Sequence, residues 1–162
     1  EAVNNLLDLS RPLDIELNRL NLNEVITETC KRVLGNNSMI YLTLCLDENL
    51  PMIEGHAEKL SQLFSDILTN AVDSMEHGGL IDILSEVVGE RLKVVVQDNG
   101  CGISKSLQDK IFDPFFTTKD DRVGVGLAKS RQIMARHGGW ISVRSKENEG
   151  TSVLLEFPLA RG

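Results

Sequence analysis

The chain has 162 residues, 41% of them hydrophobic, and 24 Asp plus Glu against 17 Lys plus Arg give it a formal charge of −7. That length and apolar content suit one α/β domain with a real core and exclude a disordered chain, while the acidic balance argues against a general nucleic-acid binder. No apolar run approaches the roughly 20 residues of a membrane helix, no signal peptide opens the chain, and Cys30, Cys45 and Cys101, far apart and without a CxxC pair, read as buried cytosolic thiols rather than a zinc site or disulfide framework.

Val3, Leu6 and Leu7 stand at helical spacing until Pro12 stops the run, which reads as the tail of a helix whose beginning lies before residue 1. Leu22, Val25, Ile26, Cys30 and Val33 then mark one stripe of a helix over 22–34, with Asn21 or Asn23 as its cap. Over 39–47, Ile40, Leu42, Leu44 and Leu46 alternate with Tyr41, Thr43 and Cys45, the period of a strand. A long helix is predicted from His56 to Glu76, apolar along Leu60, Leu63, Phe64, Ile67, Leu68, Ala71, Val72 and Met75 and ended by Gly78-Gly79. Strands follow at 80–88 and 91–98 around a Gly89-Glu90 turn. A basic helical segment covers 104–111, a polar loop 113–123, and a second long helix 124–136. The last strands are 140–145 and 151–157, and the alternation implies a mixed sheet with helices stacked on it.

Charge is unevenly spread along these elements. Residues 1–104 hold 7 basic and 17 acidic groups, 105–136 hold 7 and 4, and 137–162 hold 3 of each. A basic stretch inside an acidic chain suits one confined anion, such as a ligand phosphate, or is chance scatter.

Four local features carry possible chemistry. On the long helix Asp66, Asn70 and Asp73 follow i, i+4, i+7, within about 60° of one another and opposite the apolar face. Oxygen atoms so placed are either ligands for a hard cation such as Mg²⁺ or a solvated helix face. Asp98-Asn99-Gly100-Cys101-Gly102 follows the strand RLKVVVQ. Its glycines permit close ligand approach and its carboxylate accepts hydrogen bonds, which suits an exocyclic amine; a plain turn is the other reading. FDPFFTTK (112–119) leads to Gly124-Val125-Gly126 at a helix start, where free N–H groups attract phosphate. Gly150-Thr151 opens the last strand.

The order of these features resembles the catalytic and ATP-binding domain of bacterial sensor histidine kinases, within the Bergerat-fold (GHKL) ATPases that include DNA gyrase B, MutL and the heat-shock chaperone ATPases. LSQLFSDILTNAVDSM (60–75) is similar to the N box, DNGCGI (98–103) to the first glycine box, FDPFFTTK to the F box, GVGLAKSRQIMARHGG (124–139) to the second glycine box and its helix, and GTSVLLEFP (150–158) to the closing strand. The resemblance implies an α+β fold: a two-layer sandwich with a mixed, mostly antiparallel sheet and helices on one face. It implies ATP and Mg²⁺, with Asn70 on the metal, Asp98 reading adenine, Thr151 beside Asp98, and Gly100, Gly102 and Ile103 passing close to the nucleotide. Asp73 is similar to a site residue one turn beyond Asn70. Thr118, Lys119, Gly124, Gly126 and Leu127 would line the lid and the helix end facing the phosphates. Asn70 and Lys119 would act in catalysis, and Asp66 stands where sister ATPases carry a water-activating Glu.

Two departures stand out. Arg122 replaces the first glycine of the usual GxGLGL, and no phosphoacceptor histidine motif is present, since His56, His77 and His137 read as surface or capping residues. The resemblance assigns 1–20 to the tail of an upstream dimerisation and phosphotransfer helix with its linker, and 21–162 to the catalytic domain. It implies a cytoplasmic histidine kinase fragment, from a parent whose membrane anchoring the sequence leaves open. Its partners would be that upstream domain and a downstream response regulator, with no nucleic acid. The alternatives are an ATP-hydrolysing member of the superfamily and a non-catalytic nucleotide-binding module. A serine-directed kinase of the anti-sigma type fits the amino-terminal segment less well.

Overall fold

In the computed structural model, which describes residues 16–112 and 127–160, the strand β1 (Asn18–Leu20) runs directly into α1 (Leu22–Leu34). Asn21 caps α1, its side chain accepting the Asn23 N–H at 2.9 Å, and Lys31 and Arg32 meet the negative end of the helix dipole. Leu22, Val25, Ile26, Cys30 and Leu34 form its buried stripe. Two strands come next, β2 (Ile40–Leu46) and β3 (Ile53–Gly55), before the long helix α2 (Ala57–Asp73). The hairpin β4 (Gly79–Val88) and β5 (Arg91–Asp98) follows, then a single turn α3 (Lys105–Gln108), the helix α4 (Ala128–Arg136), and the strands β6 (Trp140–Lys146) and β7 (Gly150–Pro158).

The main sheet has the order β2-β4-β5-β7-β6. Every pair is antiparallel except β2–β4, which is parallel because α2 supplies the crossover between them. Inward residues alternate along the strands: Ile81 and Ile83 on β4, Leu92, Val94 and Val96 on β5, Val153, Leu155 and Phe157 on β7. They join the buried faces of α1, α2 and α4 in one core around Phe64 and Phe157. Burying an aromatic side chain of this kind stabilises the fold by roughly 1.5–3 kcal/mol. The result is the expected mixed, mostly antiparallel sheet with its helices on one face.

Four details differ from the sequence reading, the first being that the basic segment expected to be helical over 104–111 is helical only over Lys105–Gln108. The short strands β1 and β3 pair antiparallel in a separate two-stranded sheet, too short for their alternation to register as strands. Asn18–Leu20, grouped by sequence with the upstream segment, is thereby hydrogen-bonded to the domain. Helix α2 ends at Asp73, three residues early, because the Ser74 hydroxyl donates to the Ala71 carbonyl (2.7 Å) while the Ser74 carbonyl accepts the Cys101 N–H (3.0 Å). Leu44, an inward position, remains 37% exposed because β2 is an edge strand.

The thiols and imidazoles also divide by environment. Cys30 is buried, and burial pushes its thiol up to about 11, whereas Cys45 is exposed and Cys101 half-buried. His77 is exposed, but His137 is 4% exposed and therefore not a surface residue. Its Nε2 accepts the His56 N–H at 3.0 Å, so the ring proton is on Nδ1 and is donated to the Ile133 carbonyl at 2.8 Å. The His56 ring in turn caps α2 by accepting the Lys59 N–H at 3.1 Å. Residues 1–15, 113–126 and 161–162, with the amino-terminal helix tail, the F-box loop and the first residues of the 124–136 helix, lie outside the described residues.

Candidate functional site

Between α2 and the sheet lies a cleft. One wall is a face of α2, with Ile67, Asn70, Ala71 and Ser74 following i, i+3, i+4, i+7. The floor is Val96 and Asp98 of β5, Thr151 and Val153 of β7, and Val143 of β6. Gly102, Ile103, Ile111 and Leu127 close the far side. Ile103, Ile111 and Leu127 form a small apolar cluster of their own, joined by the Leu127 N–H donating to the Ile111 carbonyl at 2.8 Å. An apolar cleft with a few convergent polar groups is the usual form of a small-molecule site.

Asn70 is half-buried on this wall. The sequence reading placed it opposite the apolar face. It instead lies on the flank of that face, because Ile67 and Ala71 turn the same way. Asp66 and Asp73 are not among the residues that line this cleft. Asp73 is exposed. Asp66 is half-buried; burial raises its carboxyl above the usual range, and the ammonium of Lys129 on the neighbouring α4 partly offsets this. Among the described residues no group of three or more His, Cys, Asp or Glu could hold a metal ion. The Asn70 amide oxygen suits Mg²⁺, which takes few protein oxygens and keeps phosphate and water ligands.

Asp98 ends β5 with 9% exposure, directly opposite Thr151 in the β5–β7 register. Burial raises its carboxyl; the backbone N–H groups of Gly100 and Thr151 and the Ser74 hydroxyl lower it again. The Gly100 N–H donates to Oδ1 at 2.8 Å. Gly100 does not line the cleft. A Cβ there would run into Ser74, so its role is to let the loop pass the end of α2. Gly102 does line it, has φ +70°, and a Cβ there would meet the Lys146 carbonyl.

Three groups escaped the sequence reading. Ser74 ties the end of α2 to the loop after Asp98, its carbonyl accepting the Cys101 N–H at 3.0 Å. The Ser145 hydroxyl accepts the Ile103 N–H at 2.7 Å and lies 2.8 Å from the Thr151 hydroxyl. Gln108 donates to the carbonyls of Ile103 (2.8 Å) and Ser145 (2.9 Å). The one available signal was the short turn between the last two strands, which sets Ser145 opposite Thr151. Thr118, Lys119, Arg122, Gly124 and Gly126 lie outside the described residues.

Residues 55–161 match the family described as histidine kinase-, DNA gyrase B-, and HSP90-like ATPase, and the chain belongs to that family. Among individual relatives, it is 33% identical over 160 residues to the sensor histidine kinase ZraS of Escherichia coli K12, covering 98% of this chain and 34% of that protein. It is 36% identical over 162 residues to the signal transduction histidine-protein kinase AtoS of the same organism, covering 98% and 27%. The chain therefore spans about a third or less of these relatives. The solved catalytic domain of histidine kinase ThkA superposes with a TM-score of 0.79 at 31% identity, over 90% of this chain and 97% of that one. ThkA in complex with the response regulator protein TrrA matches with a TM-score of 0.81 at 30% identity, over 98% and 46%.

Proposed function

We propose that this chain is the ATP-binding catalytic domain of a two-component sensor histidine kinase, which presents the γ-phosphate of ATP to a histidine on a separate upstream domain. The observation that carries the reading is that Asn70 and Asp98, on different elements 28 positions apart in the numbering, line one cleft. ATP binding is supported by membership in an ATPase family. The names of the relatives support the histidine kinase activity, and the ThkA–TrrA complex supports a response regulator as downstream partner.

In this reading Asp98 accepts the exocyclic amine of adenine, with Thr151 beside it. Guanine would turn a carbonyl toward the carboxylate and leave both unpaired. Ile103, Ile111, Val143 and Val153 enclose the base in apolar surface, and Gly102 admits it close to the backbone. Asn70 would hold Mg²⁺ together with the ATP phosphates, and the bound ion neutralises their charge. Histidine phosphorylation is then mainly a matter of positioning and electrostatics. From the resemblance, Lys119 and the N–H groups after Gly124 and Gly126 offset charge on the transferred group, with Thr118 and Leu127 beside them. Asp73 is exposed one turn beyond Asn70, and Gly100 shapes the loop. The division near residue 20 and a cytoplasmic setting belong to the same proposal; no helix among the described residues is long and apolar enough to cross a membrane.

A second reading is favoured by one observation, the burial-raised carboxyl of Asp66 one turn from Asn70. There the domain hydrolyses ATP, with Asp66 taking a proton from water. One experiment separates the two. The chain is mixed with a purified dimerisation and phosphotransfer domain and γ-labelled ATP. Acid-labile, base-stable label on the acceptor supports histidine transfer. Free phosphate released at the same rate without the acceptor overturns it in favour of hydrolysis, and neither product leaves only the nucleotide-binding module.

A further inference from the structure

Behind the wall of the cleft formed by Thr151 and Ile103 sits Ser145, a side chain that does not line the cleft itself. Its hydroxyl has three neighbours: the Ile103 N–H at 2.7 Å, the Gly150 carbonyl at 3.0 Å and the Thr151 hydroxyl at 2.8 Å. The proton arrangement that satisfies all of them is unique. An amide N–H only donates and a carbonyl only accepts, so the single Ser145 proton goes to Gly150, and the Ser145 oxygen accepts from both Ile103 and Thr151. The Thr151 hydroxyl is thereby held in one rotor position. Gln108 adds a second tie from α3, donating to the carbonyls of Ile103 and Ser145 at 2.8 and 2.9 Å.

We propose that Ser145 is the positioning residue of the base-recognition edge: it orients the Thr151 hydroxyl beside Asp98 without touching nucleotide. This rests on the adenine-reading role given to Asp98 and Thr151. The physical basis is preorganisation. A threonine hydroxyl free to rotate must be ordered when the base binds. Here that ordering is built into the free domain. Because Thr151 and Asp98 face the amine edge, the benefit falls on a base that carries the 6-amino group.

The test is equilibrium binding to the 162-residue chain of magnesium ADP and of purine riboside 5′-diphosphate, which lacks the 6-amino group. Ser145→Ala is expected to weaken ADP about five- to tenfold and the amine-free analogue less than about twofold, the scale of one or two hydrogen bonds. In a Thr151→Val background, Ser145→Ala should add less than about twofold to the loss for ADP, since the residue acts through Thr151. Equal weakening of both ligands, full additivity in that background, or unchanged ADP affinity overturns the proposal. A merely structural role would give the first of these, together with a lowered melting temperature. Should Ser145→Ala fail to fold, Ser145→Cys keeps the size and weakens the three bonds, and the same comparison applies. A parent chain that does not bind magnesium ADP, or binds both diphosphates equally, refutes the adenine reading underneath; a parent chain that prefers ADP with an indifferent Ser145 variant refutes only this inference.

Discussion

In the proposed function, Asp98 is the residue on which base selection turns. It already accepts hydrogen bonds from the backbone N–H groups of Gly100 and Thr151, so Asp98→Asn exchanges an acceptor-only group for one that points an NH₂ at existing donors. The expected cost is about 1–3 kcal/mol of adenine nucleotide affinity, roughly five- to 150-fold in Kd, measured by calorimetric titration with ADP. Asn70 behaves differently. Its side chain lies at the edge of the apolar face, so Asn70→Ala should leave the melting temperature nearly unchanged while removing the magnesium-dependent part of ATP binding. Titration with and without excess EDTA tests this, and a variant whose ATP affinity still rises with magnesium would contradict the assignment. Both residues stood out in the sequence as polar groups next to apolar runs. Ser145 did not, because one serine on a strand is unremarkable until the register sets it against Thr151.

At the scale of elements, two helix ends are coupled by imidazoles. His56 caps the start of α2, and His137, at the end of α4, accepts the His56 N–H while donating to Ile133. Phe157 packs edge-on against the His137 ring. Burial holds the His137 ring below the ordinary histidine range, and the neighbouring His56 pushes the same way. The unfolded chain therefore takes up this proton first. The contribution of His137 to stability is complete above the ordinary histidine value near pH 6.5, declines as pH falls below it, and ceases to change once pH passes the depressed folded value. Urea unfolding midpoints at pH 7.5, 6.5 and 5.5 should fall with pH, and His137→Gln should start lower and fall less steeply. Asp66 and Asp98, with raised carboxyls, contribute with the opposite sign at lower pH, which is why the comparison with the variant is the decisive one. On the other face of the sheet, Arg91 lies 3.6 Å above the Trp140 ring and 3.8 Å from the Glu156 carboxylate, a partly exposed set whose effect on stability is modest.

For the whole molecule, the cleft is assembled from α2, β5, β6, β7 and the segment around Ile103 and Leu127, which joins the sequence from residue 67 to residue 153 in one site. A ligand that binds only when these elements are together stabilises them all. At magnesium ADP one hundred times its Kd, the gain is about 2.7 kcal/mol. For a domain of this size that raises the melting temperature by roughly 5–10 °C. Differential scanning calorimetry measures it directly. A ligand gain that shrinks in Asp98→Asn at the same nucleotide concentration ties the effect to this cleft, whereas an undiminished gain would place the nucleotide elsewhere.

Amino-acid order by itself determined the elements that carry their own local cause. The caps and apolar stripes of α1 and α2, the alternation of β4, β5 and β7 and the glycine turns are encoded within short local windows, and the succession of motifs that resemble a kinase ATP site is read from their order along the chain. Helix and strand periodicity is a local property. Tertiary structure alone decided which polar residues share the cleft. The i, i+4, i+7 stripe of Asp66, Asn70 and Asp73 splits, because the cleft opens along the flank of the apolar face and takes in only Asn70. The parallel β2–β4 pair, the imidazole link between His56 and His137, and the Ser145 hydroxyl behind Thr151 depend on strand order and register. Each joins groups distant in sequence or on separate strands, and no local window records how those elements pack.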